Sequence, residues 1–127
     1  MSPNVKWTLP VASTALLDGG PVFEERLGRE VALRFSYEGT DDERRTSGVV
    51  FLGVEAYKCT YYRARDASML EAYDKLVDRG PSAWLEEVSA NLKKSGADAQ
   101  GLVHLLINFD DGPAYEVVCR SFGVEEK

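Results

Sequence analysis

Apolar and polar residues alternate one by one along several stretches of this chain, and this period constrains the fold more than any other feature. The clearest stretch runs from Val31 to Tyr37, where Ala32, Arg34 and Ser36 separate the large apolar side chains. A period of two places every second side chain on one face of a β-strand, so this segment can bury one face in a core. Similar β-favouring patterns predict strands over residues 5–11, 22–27, 49–54, 57–63, 102–109 and 114–122, with 57–63 either a new strand or a bent continuation of the one before.

A helical period replaces the alternation after residue 66. Ser68 and Glu71 have the spacing of a capping box, and the apolar residues of 70–77 recur at helical intervals. A second helix is predicted from about Ser82 to Lys94, because its apolar residues form one stripe and Gly96 suits a left-handed C-terminal cap. This order of elements predicts an α+β fold: an antiparallel or mixed sheet of five to seven strands, with a two-helix layer inserted before the C-terminal β-hairpin.

Length and composition predict a single globular domain over residues 1–127. The chain has 44% hydrophobic and 28% charged residues, which is ordinary for a soluble domain. Its longest apolar runs are far shorter than the roughly 20 residues needed to cross a bilayer, and its first residues do not resemble a signal peptide. A cytoplasmic location is therefore expected, without membrane association.

The net charge of -6 disfavours nucleic acid as a partner, because phosphate backbones are bound by basic surfaces. The excess is not evenly spread along the chain. Residues 1–65 hold nine basic and nine acidic side chains, whereas residues 66–127 hold six basic and twelve acidic ones. A basic partner is therefore expected to meet the later half of the chain, on the side of the predicted helices.

The sole histidine, His104, lies on the first strand of the C-terminal hairpin. Pro113 disfavours a two-residue Asp-Gly turn, since proline cannot donate the flanking N–H, so the connection is predicted to span residues 110–113. This register pairs His104 with Cys119, and an odd number of loop residues would move every side chain to the other face. The pair could be a thiol with its base, or two ligands of a metal ion whose other ligands would come from Asp110, Glu116 or Cys59. Packing in the core is the favoured interpretation, because reactive thiols need an electropositive setting and the surroundings here are acidic.

The chain contains none of the common phosphate-binding, serine-hydrolase, metalloprotease or C-x-x-C motifs. No cofactor, no metal site and no catalytic residue are therefore assigned. Cys59 and Cys119 are expected to be two buried thiols rather than a disulfide, because a reducing compartment keeps thiols unpaired.

Two groups of side chains remain as candidate binding sites. Acidic residues at helical spacing predict one stripe that could bind a basic partner, although such stripes are commonly just solvated helix faces: Glu71, Asp74, Asp78, Glu86 and Glu87. Aromatic residues could line a small pocket between the helices and the sheet, or else pack as core, together with the histidine: Tyr57, Tyr61, Trp84, Tyr115 and His104.

The sequence thus favours a small non-enzymatic binding or protein-interaction domain, of the bacterial type in which an acidic, immunity-like protein sequesters a partner. A small-molecule binding domain with an aromatic pocket is the alternative. A thiol- or metal-assisted enzyme built on His104 and Cys119 is the third hypothesis.

Overall fold

The protein is a two-sheet β structure with one α-helix in the part of the chain that the computed structural model describes, residues 4–110 and 112–126. The helix is α1 (Ala83–Lys94), and short 3₁₀ helices span Ser13–Ala15, Tyr62–Ala64 and Ala67–Ala72. The strands are β1 (Asn4–Thr8), β2 (Val22–Arg26), β3 (Glu30–Glu38), β4 (Arg44–Leu52), β5 (Ala56–Thr60), β6 (Lys75–Asp78), β7 (Val103–Asn108), β8 (Ala114–Cys119) and β9 (Ser121–Glu126).

The strands form two antiparallel sheets. Sheet A has the order β1-β6-β7-β8-β5, and sheet B has the order β2-β3-β4-β9. The prediction of one sheet covered by a two-helix layer is therefore wrong. Alternation shows that one face of a strand is buried, but a second sheet can cover that face as well as a pair of helices can.

The main core lies between the two sheets. Leu33 and Phe51 from sheet B and Leu105 and Val117 from sheet A belong to one buried cluster. Strands β7 and β8 are buried on their other face as well, because the 3₁₀ helix Ala67–Ala72 covers Leu106 and its neighbours there. Sheet A therefore has an inner face against sheet B and an outer face that the 3₁₀ helix Ala67–Ala72 and the start of α1 cover in part.

The first predicted helix is wrong. Its segment forms the 3₁₀ helix Ala67–Ala72, capped by the Asp66 side chain that accepts from Met69 N–H, and then strand β6. Leu76 and Val77 are both buried and belong to different clusters, Leu76 to the core between the sheets and Val77 to the outer-face cluster. On a strand, adjacent side chains point to opposite faces, whereas on the predicted helix the apolar side chains would have formed one stripe.

The second predicted helix is confirmed as α1. The Ser82 side chain caps it by accepting from Leu85 N–H, and Gly96 follows its last turn with a φ of +83°. Glycine adopts this left-handed conformation without the steric cost that a Cβ would add.

The predicted register of the C-terminal hairpin is wrong by one residue. Asn108 faces Ala114, so five residues rather than four connect the strands, and His104 faces Val118 instead of Cys119. Phe109 buries its ring in the core between the sheets, and its backbone N–H donates to the Pro113 carbonyl across the loop at 3.4 Å. Proline accepts a hydrogen bond through its carbonyl but has no N–H to donate, so the five-residue loop needs no donor from Pro113.

The chain passes between the sheets twice at one corner of the molecule. The first crossover, Gly53–Glu55, leads from β4 to β5, and the second, at Arg120, leads from β8 to β9. Arg120 donates through Nη1 to the Gly53 carbonyl at 3.1 Å and to the Glu55 carboxylate at 2.8 Å, and its backbone N–H donates to the Leu52 carbonyl. The two crossovers therefore hold each other in place.

Within residues 4–110 and 112–126, no helix has the length and apolar character to cross a membrane.

Candidate functional site

The outer face of sheet A carries a chain of polar contacts beside the start of α1. His104 projects from β7 on this face, since its neighbour Leu105 belongs to the core on the inner face. Glu116 projects from β8 on the same face, two residues from the direct partner of His104. Both side chains are buried, with 4% and 5% of the residue exposed. Ser82 reaches them from the N-cap of α1.

These three residues are linked by two short hydrogen bonds, and we call them the Ser82 relay. His104 Nε2 lies 2.9 Å from Glu116 Oε1, and His104 Nδ1 lies 2.8 Å from Ser82 Oγ. Ser82 Oγ also accepts from Leu85 N–H at 3.1 Å. One set of protons satisfies every group: His104 donates its Nε2–H to the carboxylate, and the Ser82 hydroxyl donates to Nδ1.

The carboxylate of the relay is held in its charged form. The hydrogen bond from His104 lowers the pKa of Glu116 below its usual value, against the opposing effect of burial, and the nearby charges of Lys58 and Arg79 act in the same direction as His104. Lys58 lies directly opposite Glu116 on the neighbouring strand β5. An ionised Glu116 fixes the tautomer of His104 that leaves Nδ1 free to accept a proton.

Trp84 covers the relay from the first turn of α1. Its ring meets the His104 ring edge to face, with centroids 5.0 Å apart and an interplanar angle of 82°. The Lys58 ammonium lies 4.2 Å from the centre of the Trp84 ring on the other side, at cation–π distance. The structure thus brings together two of the five predicted ligand-binding residues, Trp84 and His104.

A groove of about 560 Å³ lies between α1 and the ends of two strands of sheet A, where β6 ends at Asp78 and β7 begins at Val103. We call it the α1 groove. Its apolar surface comes mainly from Pro81, Leu85, Leu102 and Val103. Three charged residues stand among the lining: Asp78, Glu86 and Lys93. Pro81 and Leu85 flank the Ser82 cap in the chain, so the groove begins beside the relay.

The predicted tyrosines do not join Trp84. Tyr115 belongs to the core between the sheets, where its ring stacks on Phe23 at 5.5 Å, and Tyr57 packs against the same phenylalanine at 4.9 Å. Burial is the main cause that raises the pKa of Tyr115 to about 12. Tyr61 is largely exposed. The aromatic set is therefore divided between the two faces of sheet A and forms no single pocket.

The predicted acidic stripe has no continuous helix to carry it. Glu71 lies on a 3₁₀ helix, Asp74 in a turn with a φ of +58° and Asp78 on β6, so only Glu86 and Glu87 share α1. The Asp74 and Asp78 carboxylates accept backbone N–H groups from Ser13 and Gly80, which are local structural roles. Asp78 and Glu86 do meet, because both line the α1 groove.

The proposed thiol and imidazole pair is also separated. Cys119 belongs to the core on the inner face of sheet A, where burial raises the pKa of its thiol to about 12, while His104 lies on the outer face. The expectation of two buried thiols holds only for Cys119, since Cys59 is exposed, and both are unpaired in the described part of the chain. Among residues 4–110 and 112–126, no group of three or more His, Cys, Asp and Glu side chains is arranged to hold a metal ion.

The sequence did not indicate Ser82 as a site residue, and it offered Glu116 only as a possible metal ligand. Ser82 was visible only as the start of a helix, because it lies outside the G-x-S-x-G context in which a reactive serine is usually sought. Glu116 could have been found from the hairpin register, since the correct pairing of Leu106 with Glu116 places that carboxylate diagonally beside His104. Comparisons with protein-family models, with curated proteins and with solved structures gave no significant match to this chain.

Proposed function

We propose that this protein is a binding domain that takes up a small, mainly apolar molecule with a positively charged group in the α1 groove. The observation that carries the proposal is the groove itself, a concave site of about 560 Å³ between a helix and a sheet. Sites for small molecules commonly measure roughly 300–1,000 Å³ and combine an apolar lining with a few polar groups. The α1 groove has this composition.

The charges around the groove favour a cationic group at one end. Asp78 and Glu86 line it, and Lys93 lies seven residues beyond Glu86 on α1, a rise of about 10 Å along the helix axis. A ligand with its positive end near Glu86 and its apolar body toward Leu102 would complement this arrangement. The acidic excess of residues 66–127 would attract such a cation at longer range.

A small molecule suits the site better than the basic protein partner expected from the sequence. Among the described residues, the large hydrophobic side chains that are exposed lie outside the groove: Val5, Val22, Leu27, Leu52, Tyr57, Tyr61, Tyr62, Leu70 and Val124. A protein interface would be favoured by a broad apolar patch at the acidic site. The proposal keeps a cytoplasmic location, which the two unpaired thiols favour.

The proposal is tested with a set of aromatic amines and the matching aromatic carboxylates, titrated into the ¹⁵N-labelled protein. We expect the amines to shift backbone amide signals of Leu85, Leu102 and Val103, and the carboxylates to bind more weakly. Glu86→Lys should weaken amine binding by about fivefold, because an attractive surface charge becomes a repulsive one. Glu87→Lys is the matched control, since Glu87 is the next residue on α1 and does not line the groove.

A second pair of variants tests the place of binding. Ala90→Phe puts a large ring into the groove, whereas Asn91→Phe puts it on the adjacent exposed position outside the lining. Ala90→Phe should abolish the shifts and Asn91→Phe should preserve them. The proposal is wrong if neither set of compounds shifts the groove signals, or if the shifts centre on Tyr57 and Tyr61.

A further inference from the structure

We propose that Ser82 is a nucleophile for acyl transfer, with His104 as its general base and Glu116 as the residue that positions His104, and that the substrate is a carboxylic ester with an apolar acyl group. This activity goes beyond ligand binding and does not depend on it. It is carried by the geometry of the Ser82 relay, in which the serine, the imidazole and the carboxylate are joined in one line of hydrogen bonds.

The first contact meets the requirement for an activated serine. Ser82 Oγ is 2.8 Å from His104 Nδ1, within the reach that proton transfer to a base requires. Because Glu116 holds the proton on Nε2, Nδ1 presents a lone pair to the hydroxyl. The usual hydrolase uses the two imidazole nitrogens the other way round, but such sites are recognised by geometry and roles rather than by sequence order.

The second contact stabilises the base once it is protonated. His104 Nε2 is 2.9 Å from the Glu116 carboxylate, both side chains are buried, and Trp84 packs against the His104 ring. An imidazolium formed at this place is paired at once with a negative charge, and it needs no rearrangement of water. Ser82 is less buried than either partner, as the residue at which substrate arrives must be.

Two further groups suit the transition state. The backbone N–H groups of Ala83 and Trp84 are the first in α1, so they have no acceptor within the helix and lie next to the serine in the chain. They are the candidate donors to the carbonyl oxygen as it becomes negative. Pro81 and Leu85 line the adjacent α1 groove and would contact the apolar acyl chain.

The reaction balances without any further reagent than water. The Ser82 oxygen attacks the ester carbonyl as its proton passes to His104 Nδ1, and a bond forms between that oxygen and the acyl carbon. The bond from the acyl carbon to the alkoxy oxygen then breaks, and the departing alcohol takes the proton from Nδ1. In the second half, water gives a proton to His104 Nδ1 and its oxygen attacks the acyl carbon. The bond between the acyl carbon and the Ser82 oxygen then breaks, the product leaves as a carboxylic acid, and Nδ1 returns the proton to Ser82.

The test uses a fluorophosphonate with an alkyl chain, followed by intact mass and peptide mass spectrometry, together with hydrolysis of p-nitrophenyl butyrate. We expect one adduct, on Ser82, formed as the serine oxygen displaces fluoride from phosphorus. Ser82→Asn removes the nucleophile and keeps a good helix cap, so the folded variant should lose labelling and hydrolysis by about a hundredfold or more. Ser95→Ala, at the other end of α1, should label like the original protein.

A purely structural role of the relay gives a different result. If Ser82 only caps α1, the fluorophosphonate leaves it unlabelled, and p-nitrophenyl butyrate is hydrolysed equally by the original protein and by Ser82→Asn; either result overturns the proposal. Glu116→Gln separates positioning from folding, because it should slow labelling while the circular dichroism spectrum stays unchanged. Labelling at full rate in Glu116→Gln would remove Glu116 from the mechanism.

Discussion

Glu116 shows how one buried side chain links stability to pH. Its pKa is lowered in the folded protein, chiefly by the hydrogen bond from His104, so the folded state favours the ionised form more than the unfolded state does. The resulting stabilisation is present above the pKa of the unfolded chain, near 4.5, and is lost as the pH falls through the lower pKa of the folded state.

We therefore expect Glu116→Gln to reduce the free energy of unfolding by about 2 kcal/mol near neutral pH, the value of a buried charge-assisted hydrogen bond. The difference from the original protein should shrink as the pH falls below about 4.5, because Glu116 of the unfolded chain takes up a proton there before Glu116 of the folded protein does. Urea denaturation of both proteins between acidic and neutral pH measures this difference in the free energy of unfolding. Glu87→Gln, at an exposed position, is the control, and a difference that stays constant across this range would contradict the assignment.

The contact between His104 and Glu116 was not predicted because it depends on the hairpin register, which one loop residue changes. The sequence alternation correctly placed both residues on strands, but the loop has five residues rather than four, and this shift of one residue exchanged the faces of β8 relative to β7. Phe109 shares a face with Leu105 and Ile107 for either loop length, so the apolar pattern of this strand does not distinguish the two registers.

At the scale of elements, one arginine ties the irregular segment after β5 to the end of β7. The Arg65 guanidinium donates to the Asn108 side chain at 2.5 Å and to the carbonyls of Phe109 and Asp110 at 2.9 and 3.2 Å. It also donates to the Tyr73 hydroxyl at 3.1 Å. A planar guanidinium can serve these four acceptors together, whereas a lysine ammonium has three donors at one point.

Arg65→Lys should therefore destabilise the protein by about 2 kcal/mol, since buried carbonyl and amide oxygens lose their donors. The matched substitution Arg63→Lys should change stability by less than about 0.5 kcal/mol, because Arg63 is exposed on the same segment. Guanidinium denaturation of the three proteins checks this. Equal losses of stability in the two variants would show that Arg65 does not hold the loop that begins at Phe109.

The elements that the sequence predicted correctly carry several independent signals. Helix α1 has a serine cap, an apolar stripe and a glycine stop, and each indicates the same boundaries. Strand β6 has only the four residues Lys75–Asp78, and its two apolar side chains fit either period. Its pairing with β1 and β7, which lie far away in the sequence, determines that it forms a strand rather than a helix.

At the scale of the whole molecule, the number of sheets could not be predicted from the sequence. Leu33 alternates with Ala32 and Arg34, and Leu105 lies in an apolar run with Leu106 and Ile107, yet Leu33 and Leu105 face the same core from different sheets. Alternation identifies a buried face without identifying what covers it. The chain changes sheet three times, from β1 to β2, from β4 to β5 and from β8 to β9, and the last two connections are too short to have a recognisable composition.

The corner that joins those crossovers gives a test of how the sheets depend on each other. Glu55 accepts from both Arg120 and Arg29, but the Arg29 side chain is 70% exposed and that of Arg120 is 34% exposed. Arg120→Gln should lower the free energy of unfolding by about 2 kcal/mol, because the Gly53 carbonyl and the Glu55 carboxylate lose a donor at a partly buried site. Arg29→Gln should cost less than about 1 kcal/mol, as expected for an exposed ion pair.

Thermal and urea denaturation, followed separately by tryptophan fluorescence and by far-ultraviolet circular dichroism, measure this pair of variants. If Arg120→Gln weakens the coupling of the sheets, the two signals should no longer change together. Coincident transitions with an unchanged midpoint would show that the corner contributes nothing to the joint folding of the sheets.

The pairing of β9 with β4 has a consequence for biosynthesis. While the ribosome is still making residues before 121, β2, β3 and β4 can already form a three-stranded meander, but the far edge of β4, with Val49 and Phe51, has no strand to pair with. An open apolar edge of this kind invites pairing with other nascent chains. Overexpression at high temperature, where unfinished chains are most numerous, is therefore the condition in which this protein should form inclusion bodies.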